Sequence, residues 1–410
     1  MTTDATYVIA GASLAGAKAA EALRAEGFGG RVILIGQETE RPYERPPLSK
    51  DYLLGKAERE TIYVHPEPWY AEHDVDLRLG VTVTGIDPGA RRVSLADGSS
   101  VGYTKLLLAT GSAPRRLAVP GATLDGVLYL RNVQDSDRIK ETFGSASRIA
   151  VIGAGWIGLE TAAAARAAGV EVSVLEASEL PLLRVLGRQV AQVFADLHRE
   201  NGVDLRANVG IREITGQNGT ATGVRLADGS TVQADAVIVG VGITPNSDLA
   251  AAAGLDTDNG IRVDAQLRSS NPDIYAAGDV ANALHPLLGQ HIRVEHWANA
   301  LNQPQVAAKA MLGQDAVYDR VPYFFTDQYD LGMEYAGYVG PDSYREVVFR
   351  GRPDQGEYIA FWLGHEGQVL AGMNVNIWDV NDAIQDLVRS GRPVETGALA
   401  DAATPLTSLA

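Results

Sequence analysis

Gly153, Gly155 and Gly158, followed by an acid at Glu176, are the residues whose types and spacing most directly imply chemistry. In a G-x-G-x-x-G turn the first glycine permits a tight bend and the second admits backbone close to a pyrophosphate. The third lets the following helix pack against its strand. The helix N-terminus then faces negative charge. Glu176 stands 23 residues after Gly153. A carboxylate there accepts hydrogen bonds from a ribose 2′-OH and repels a 2′-phosphate. No arginine lies between Glu176 and Arg184, so the motif favours NADH over NADPH. Ile157, Arg184 and Gly242 are grouped with this turn as candidate cofactor-binding positions.

An irregular copy of the same turn lies near the start. Gly11 and Gly16 are present, but Ser13 occupies the middle position. Serine is small, and its hydroxyl can itself face a phosphate. The stretch GASLAG is no nucleophile elbow, because Ala15 stands where G-x-S-x-G needs its last glycine. Gln37 and Glu38 close the second strand of this copy, and either can hold a ribose.

The elements that must position these turns are themselves duplicated. Each glycine turn sits between an apolar strand and an alanine-rich helix that leads to a second strand. VSLADGSSV from Val93 returns as VRLADGSTV from Val224, each an alternating strand with Asp-Gly at a hairpin turn. YTKLLLATGSAP from Tyr103 returns as ADAVIVGVGITP from Ala234. The copies are 142 residues apart at Gly11 and Gly153, and 131 apart at Gly111 and Gly242. A fixed order of matched elements reads as two βαβ-based nucleotide-binding units, each with a parallel sheet and an inserted hairpin meander. From Val280 to Leu312 the chain reads as largely helical. From Tyr323 it reads as antiparallel strands, then a helix in DVNDAIQDLVRSG with Asp379 or Asn381 as cap and Gly391 as stop. The tail ALADAATPLTSLA reads as loosely held.

Composition narrows the function classes. Over 410 residues the formal net charge is -16, against the basic stripe that general nucleic-acid binding needs. No apolar run is long enough for a membrane span, and the first residues show no secretory signal, so a cytoplasmic protein is expected. There are no cysteines, which removes disulfides, thiolate nucleophiles and cysteine-held metal centres. His285, His291 and His296 lack short ligand spacing, and no metal site is expected.

PYERPPLSK (residues 42–50), IYAAGDV (274–280), LATG from Leu108 and GAGWIGLE from Gly153 together resemble the FAD- and NADH-dependent ferredoxin reductases. That family, which includes putidaredoxin reductase, serves Rieske-type dioxygenases and bacterial cytochromes P450. The resemblance extends over nearly the whole chain, and its more distant reach includes rubredoxin reductases and apoptosis-inducing factor. It implies an α/β fold of the glutathione reductase type: two Rossmann-like dinucleotide-binding domains and a C-terminal α+β domain with an antiparallel sheet. The expected domains are an FAD-binding domain in two parts (1–111 and 243–320), an NAD-binding domain (112–242) and a C-terminal domain (321–410).

The resemblance also assigns residues. Gly11, Ala15 and Gly16 would meet the FAD pyrophosphate, and Val83 and Arg131 would contact the flavin nucleotide. Asp279 would bond the ribityl chain, and backbone near Trp297 would border the ring. The family usually has an aspartate where Gln37 stands. Lys50 would lie near flavin N5 and pair with Glu160 beside the nicotinamide; these two are the candidate catalytic residues. A plainer reading of Glu160 is a helix-start acid favoured by the macrodipole, and the family reading is preferred to it.

Flavin takes a hydride and releases electrons singly. Without cysteines no dithiol relay is available, and the acceptor that the resemblance implies, a [2Fe-2S] ferredoxin docking transiently on a monomer or weak homodimer, fits that constraint. Arg41, Arg45, Lys50, Lys56 and Arg59, with Arg115, Arg116, Arg293 and Arg345, are the candidate docking cations. The rival readings are a rubredoxin reductase, an oxygen-using NADH oxidase, and a non-turnover NADH-sensing flavoprotein resembling apoptosis-inducing factor.

Overall fold

Two short runs of consecutive aliphatic residues, Val8-Ile9-Ala10 and Val32 to Ile35, have almost no solvent exposure. Strands this uniformly apolar belong in a parallel sheet covered on both faces. In the computed structural model, which describes residues 4–340 and 343–410, they do. The chain forms two units: residues up to Glu44 with Arg59–Ala113 and Thr244–Pro322, and Arg45–Glu58 with Pro114–Ile243 and Tyr323–Ala410.

In the first unit the sheet order is Ile274–Ala276, Lys105–Leu108, Thr6–Ala10, Arg31–Ile35, Val75–Arg78, all parallel. The helices Leu14–Ala25 and Trp297–Met311 pack on each other. Their buried faces are alanine-rich, which lets the backbones approach closely. The three-stranded meander Val83–Asp87, Arg92–Leu95, Ser100–Gly102 contains the first Asp-Gly hairpin.

The second unit repeats the plan. Its parallel sheet runs Asp204–Arg206, Glu171–Leu175, Arg148–Ile152, Ala236–Val239, Val127–Leu128. Its meander is Ile211–Gln217, Thr220–Leu226, Thr231–Gln233. To this it adds a five-stranded antiparallel sheet in the order Tyr323–Gln328, Leu331–Gly337, Val369–Val375, Glu357–Gly364, Tyr344–Arg352. Trp362 of that sheet is fully buried and donates its indole N–H to the Leu186 carbonyl at 3.1 Å. The antiparallel sheet and the helix Leu183–Glu200 thus share one core.

Three local expectations are corrected. The stretch read as helical from Val280 begins with a hairpin, Ala281–His285 paired with Gln290–Ile292, and helix starts only at Trp297. Alanine and leucine favour helix locally, but parallel pairing of Ala281–Ala283 with Ile261–Val263 overrides that preference. The helix Asn381–Ser390 stops at Gly391, whose φ of 58° is left-handed, as expected. Its N-cap position, however, is Val380, not Asp379 or Asn381. The tail is packed: Leu399 and Leu406 are buried, and Arg350 donates to the Leu399, Ala402 and Thr404 carbonyls.

Candidate active site

In the second unit the turn after Arg148–Ile152 bends at Gly153, with φ 97°. A Cβ there would lie 2.4 Å from the Gly240 carbonyl oxygen, and one at Gly158 would lie 2.1 Å from that of Gly153. Both glycines are therefore required by close backbone packing. Gly155 differs: it is exposed, its φ is -79°, and a Cβ would meet nothing within 4 Å. It is the N-cap of helix Trp156–Ala167, and no side chain caps that helix end. Free N–H groups and open space in front of them can receive a phosphate.

Glu176 completes this cradle. Its carboxylate accepts from the Ala154 N–H at 2.8 Å and from the Ser178 N–H at 2.7 Å, which ties the acid to the glycine turn. Arg206, whose carbonyl accepts the Glu176 N–H, has its guanidinium on Asp204 at 2.8 Å. Ile157 is 44% exposed on the first turn of the helix. Arg184 is exposed at the start of the helix Leu183–Glu200, which kinks at Gly187. Gly242 has φ 97° and accepts the Arg115 N–H through its carbonyl.

The first unit holds the other turn. Gly11 has φ 122°, and a Cβ would lie 2.1 Å from the Ala109 oxygen; one at Gly16 would lie 1.9 Å from that of Gly11. Ser13 is the N-cap of Leu14–Ala25, yet its hydroxyl caps nothing, so this helix end is also free to meet an anion. Ala15 is buried against Gly278, where a Cβ would come within 3.2 Å of it. Gln37 is exposed, and Glu38 accepts the Tyr43 hydroxyl. Val83 opens its meander opposite Leu95. The Asp279 carbonyl accepts from Arg293 at 3.3 Å. Trp297 donates its indole N–H to Glu44 at 3.2 Å, and burial holds the Glu44 carboxyl above its usual range despite that bond.

Lys50 and Glu160 meet inside the second unit. The ammonium donates to Glu160 Oε1 at 2.7 Å, and Glu160 is only 4% exposed. Two residues that sequence reading missed also bond this carboxylate. The Ser49 hydroxyl donates to Oε2 and the Thr326 hydroxyl to Oε1. Beyond Thr326 lie Gln328 and the fully buried His198. The available signal was the alternation of strand Tyr323–Gln328: Phe324, Thr326 and Gln328 face inward, and two of the three are polar. Arg131 is half-buried; its carbonyl accepts from Arg45 and its N–H donates to Asp135 at 3.0 Å.

Most of the candidate docking cations have partners within the chain. Arg41 pairs with Glu60 and lies 3.7 Å from the Tyr63 ring centroid, while Arg59 pairs with Glu40 at 2.7 Å. Arg345 pairs with Glu346, and the side chain of Arg293 is 7% exposed beside Glu295. Arg115 donates to the Ile243 carbonyl, and Arg116 stacks on Tyr129. Lys56 is exposed.

With this geometry in view, the relatives of the chain are informative. It is 41% identical over 398 residues to the ferredoxin–NAD(+) reductase component of an anthranilate 1,2-dioxygenase system from Burkholderia cepacia, covering 96% of this chain and 97% of that one. It is 36% identical to a rubredoxin–NAD(+) reductase from Pseudomonas putida, covering 83% and 88%. Among solved structures, the ferredoxin reductase for the CYP199A2 system from Rhodopseudomonas palustris matches with TM-score 0.95 at 36% identity, over 99% of each chain. A chain of the covalent putidaredoxin reductase–putidaredoxin complex matches with TM-score 0.95 at 35% identity, over 99% and 98%. Residues 323–410 match the reductase C-terminal family. Residues 5–304 match the family described as pyridine nucleotide-disulphide oxidoreductase, and the chain belongs to that family.

Proposed function

We propose that the chain is an NADH-dependent, FAD-containing ferredoxin reductase that passes electrons one at a time to a [2Fe-2S] ferredoxin serving a cytochrome P450 or Rieske-type oxygenase. The observation that carries this reading is the buried Lys50–Glu160 pair in a unit that also holds an open glycine turn, within a chain that has no cysteine. The family name refers to a disulphide, and this chain cannot form one. The ferredoxin reductase named among its relatives supports the alternative of direct discharge to a protein acceptor.

Bound FAD supplies the conversion of a hydride, two electrons at once, into single electrons. The chain's own residues bind, orient and tune. Gly11, Gly16 and the free helix end at Ser13 fit a pyrophosphate, and Ala15 beside Gly278 keeps the turn close to the following strand. Gly153, Gly155 and Gly158 do the same for NADH, with Ile157 as an apolar wall and Glu176 as the acceptor for ribose hydroxyls. Each carboxylate oxygen of Glu176 has a lone pair beyond the one given to backbone N–H. Lys50 and Glu160 would supply fixed, opposite charges beside the bound flavin. Val83, Arg131, Asp279 and Trp297 retain their assigned flavin contacts as proposals, with Gln37 and Glu38 at the adenosine end and Arg184 and Gly242 beside NADH. The domain scheme of 1–111 with 243–320 for FAD, 112–242 for NAD and 321–410 for the acceptor side is part of the same reading.

The protein is proposed to work in the cytoplasm as a monomer or weak homodimer. Docking is proposed to be transient and electrostatic. Arg41 and Arg59 already have acidic partners, so charge reversal there breaks internal pairs as well. Lys56 and Arg116, both exposed, are better sites for reversal.

The rubredoxin reading is favoured by the Pseudomonas putida relative. Steady-state turnover of the FAD-loaded protein with NADH tests the choice of acceptor, using a [2Fe-2S] ferredoxin, a rubredoxin or oxygen alone. Fast turnover with ferredoxin supports the proposal. Turnover confined to rubredoxin or to oxygen would replace it with one of the other enzymes, and slow reoxidation by all three would point to an NADH sensor.

A further inference from the structure

Glu160 stands at the end of a line of buried polar groups that the redox reaction does not itself require. Thr326 and Gln328 are each 1% exposed, and His198 has no exposure. Gln328 Nε2 lies 3.3 Å from Thr326 Oγ1, His198 Nε2 lies 2.8 Å from Gln328 Oε1, and the Tyr329 hydroxyl lies 3.1 Å from His198 Nδ1. All of these residues belong to the second unit.

The direction of every bond in this line is fixed from one end. Glu160 is paired with Lys50, and an ionised carboxylate only accepts. The Thr326 hydroxyl must therefore spend its single proton on Glu160. Its oxygen then accepts, so the Gln328 amide must turn its NH₂ toward Thr326 and its oxygen toward His198. The imidazole must carry its proton on Nε2, which leaves Nδ1 bare to accept from Tyr329. Burial favours the neutral imidazole that this arrangement needs, opposed by the bond to Gln328. Four donors in series all point toward the same carboxylate.

We propose that Thr326, Gln328 and His198 are positioning residues that form a one-way donor chain ending on Glu160, holding its carboxylate turned toward Lys50. Hydrogen bonds in series strengthen one another, so each donor in the chain helps to fix the next. Asp327 interacts with the same pair: burial holds its carboxyl above the usual range, Lys50 lowers it, and Glu160 and Asp51 raise it. Among the described residues, Lys50 is the cation paired with Glu160, and the donor chain fixes the carboxylate that receives it. The inference rests on the proposed function for its purpose, but the state of Glu160 can be read without turnover.

The test is the infrared carboxylate stretch of Glu160 in the FAD-loaded protein, assigned by its loss in Glu160→Gln. In Thr326→Val, which keeps the side-chain shape and loses the hydroxyl, that stretch is expected to move from its parent position. Thr326→Ser should restore it, and Gln328→Leu should move it by a smaller amount in the same direction. The limiting rate of NADH-driven flavin reduction should fall in Thr326→Val and recover in Thr326→Ser. Coincident stretches in the parent and Thr326→Val would overturn the inference while leaving NADH-driven reduction, and hence the proposed function, standing. A second reading needs no variant: nitrogen NMR of labelled histidine should show His198 protonated on Nε2 and bare on Nδ1, and the opposite tautomer would also overturn it.

Discussion

The Lys50 ammonium and the Glu160 carboxylate are separated by 110 positions in the chain and by 2.7 Å in space, and the acid is almost completely enclosed. A buried pair of this kind is held in place by mutual need. Glu160 is not stable there alone, because removing Lys50 leaves an enclosed carboxylate without its counter-charge. The pair therefore links the segment after Pro46–Ser49 to the helix Trp156–Ala167, and its chemistry and its stability can be tested separately.

Lys50→Met is expected to destabilise the protein by about 3 kcal/mol, because Glu160 is left buried and unpaired. Adding Glu160→Gln should recover much of that loss, and calorimetry on the double-mutant cycle reads the coupling. Both single variants should lower the limiting rate of NADH-driven flavin reduction by about 10²-fold, as loss of a preorganised charge does elsewhere. A double variant that is stable yet still slow would separate the two roles.

Gly155 and Gly158 should respond oppositely to alanine. At Gly155 a Cβ enters open space, so Gly155→Ala is expected to keep its unfolding temperature and weaken NADH binding about tenfold by filling the cradle. At Gly158 a Cβ would meet the Gly153 carbonyl oxygen at 2.1 Å, so Gly158→Ala should lower stability. Thermal unfolding and NADH binding, measured on both variants, check the contrast.

Glu176→Ala is expected to raise the KM for NADH about tenfold and to narrow the preference over NADPH by a similar factor. The carboxylate braces the Ala154 N–H and, with the nucleotide bound as proposed, would repel a 2′-phosphate, so its removal should act on binding and leave kcat nearly unchanged. Arg206 is engaged by Asp204, so a further Asp204→Asn change should improve NADPH use again. Steady-state kinetics with both nucleotides measures the effect.

Acid sensitivity should carry a contribution from His198. Burial lowers its pKa in the folded protein from the ordinary 6.5. The unfolded chain therefore takes up a proton that the folded chain refuses, and stability present above pH 6.5 is lost as pH falls toward the lower folded value. His65 and His296 are shifted downward by burial too and add to the same slope. In His198→Gln the fall of the unfolding temperature below pH 6.5 should be shallower than in the parent. An unchanged slope would mean that His198 is not held neutral.

Much of this fold was legible because its signals are local. The two glycine turns, the Asp-Gly hairpins and the alternating strands after Tyr323 each declare themselves within about a dozen residues, and the strands, turns and helices lie where those patterns put them. Long-range partners were not legible in that way. Nothing in the spacing of Lys50 and Glu160 brings them together, and their pairing came from family resemblance. Ser49, Thr326, Gln328 and His198 converge from three separate segments, and only the inward polar positions of one strand hinted at them. The hairpin at Ala281–His285 was missed because a neighbouring strand, invisible to local propensity, determines its conformation. Partners also decide which cations are available: Arg41 and Arg59 look free in sequence and are engaged in space.

Anaerobic titration of the FAD-loaded protein with NADH, in the presence of excess [2Fe-2S] ferredoxin and with flavin and iron–sulfur absorbance followed together, tests the central claim most directly. The expected result is two ferredoxins reduced for each NADH consumed, with the same stoichiometry after treatment with a thiol-blocking reagent. Ferredoxin that stays oxidised when NADH is added, whether the flavin keeps its colour or loses it, would contradict the claim.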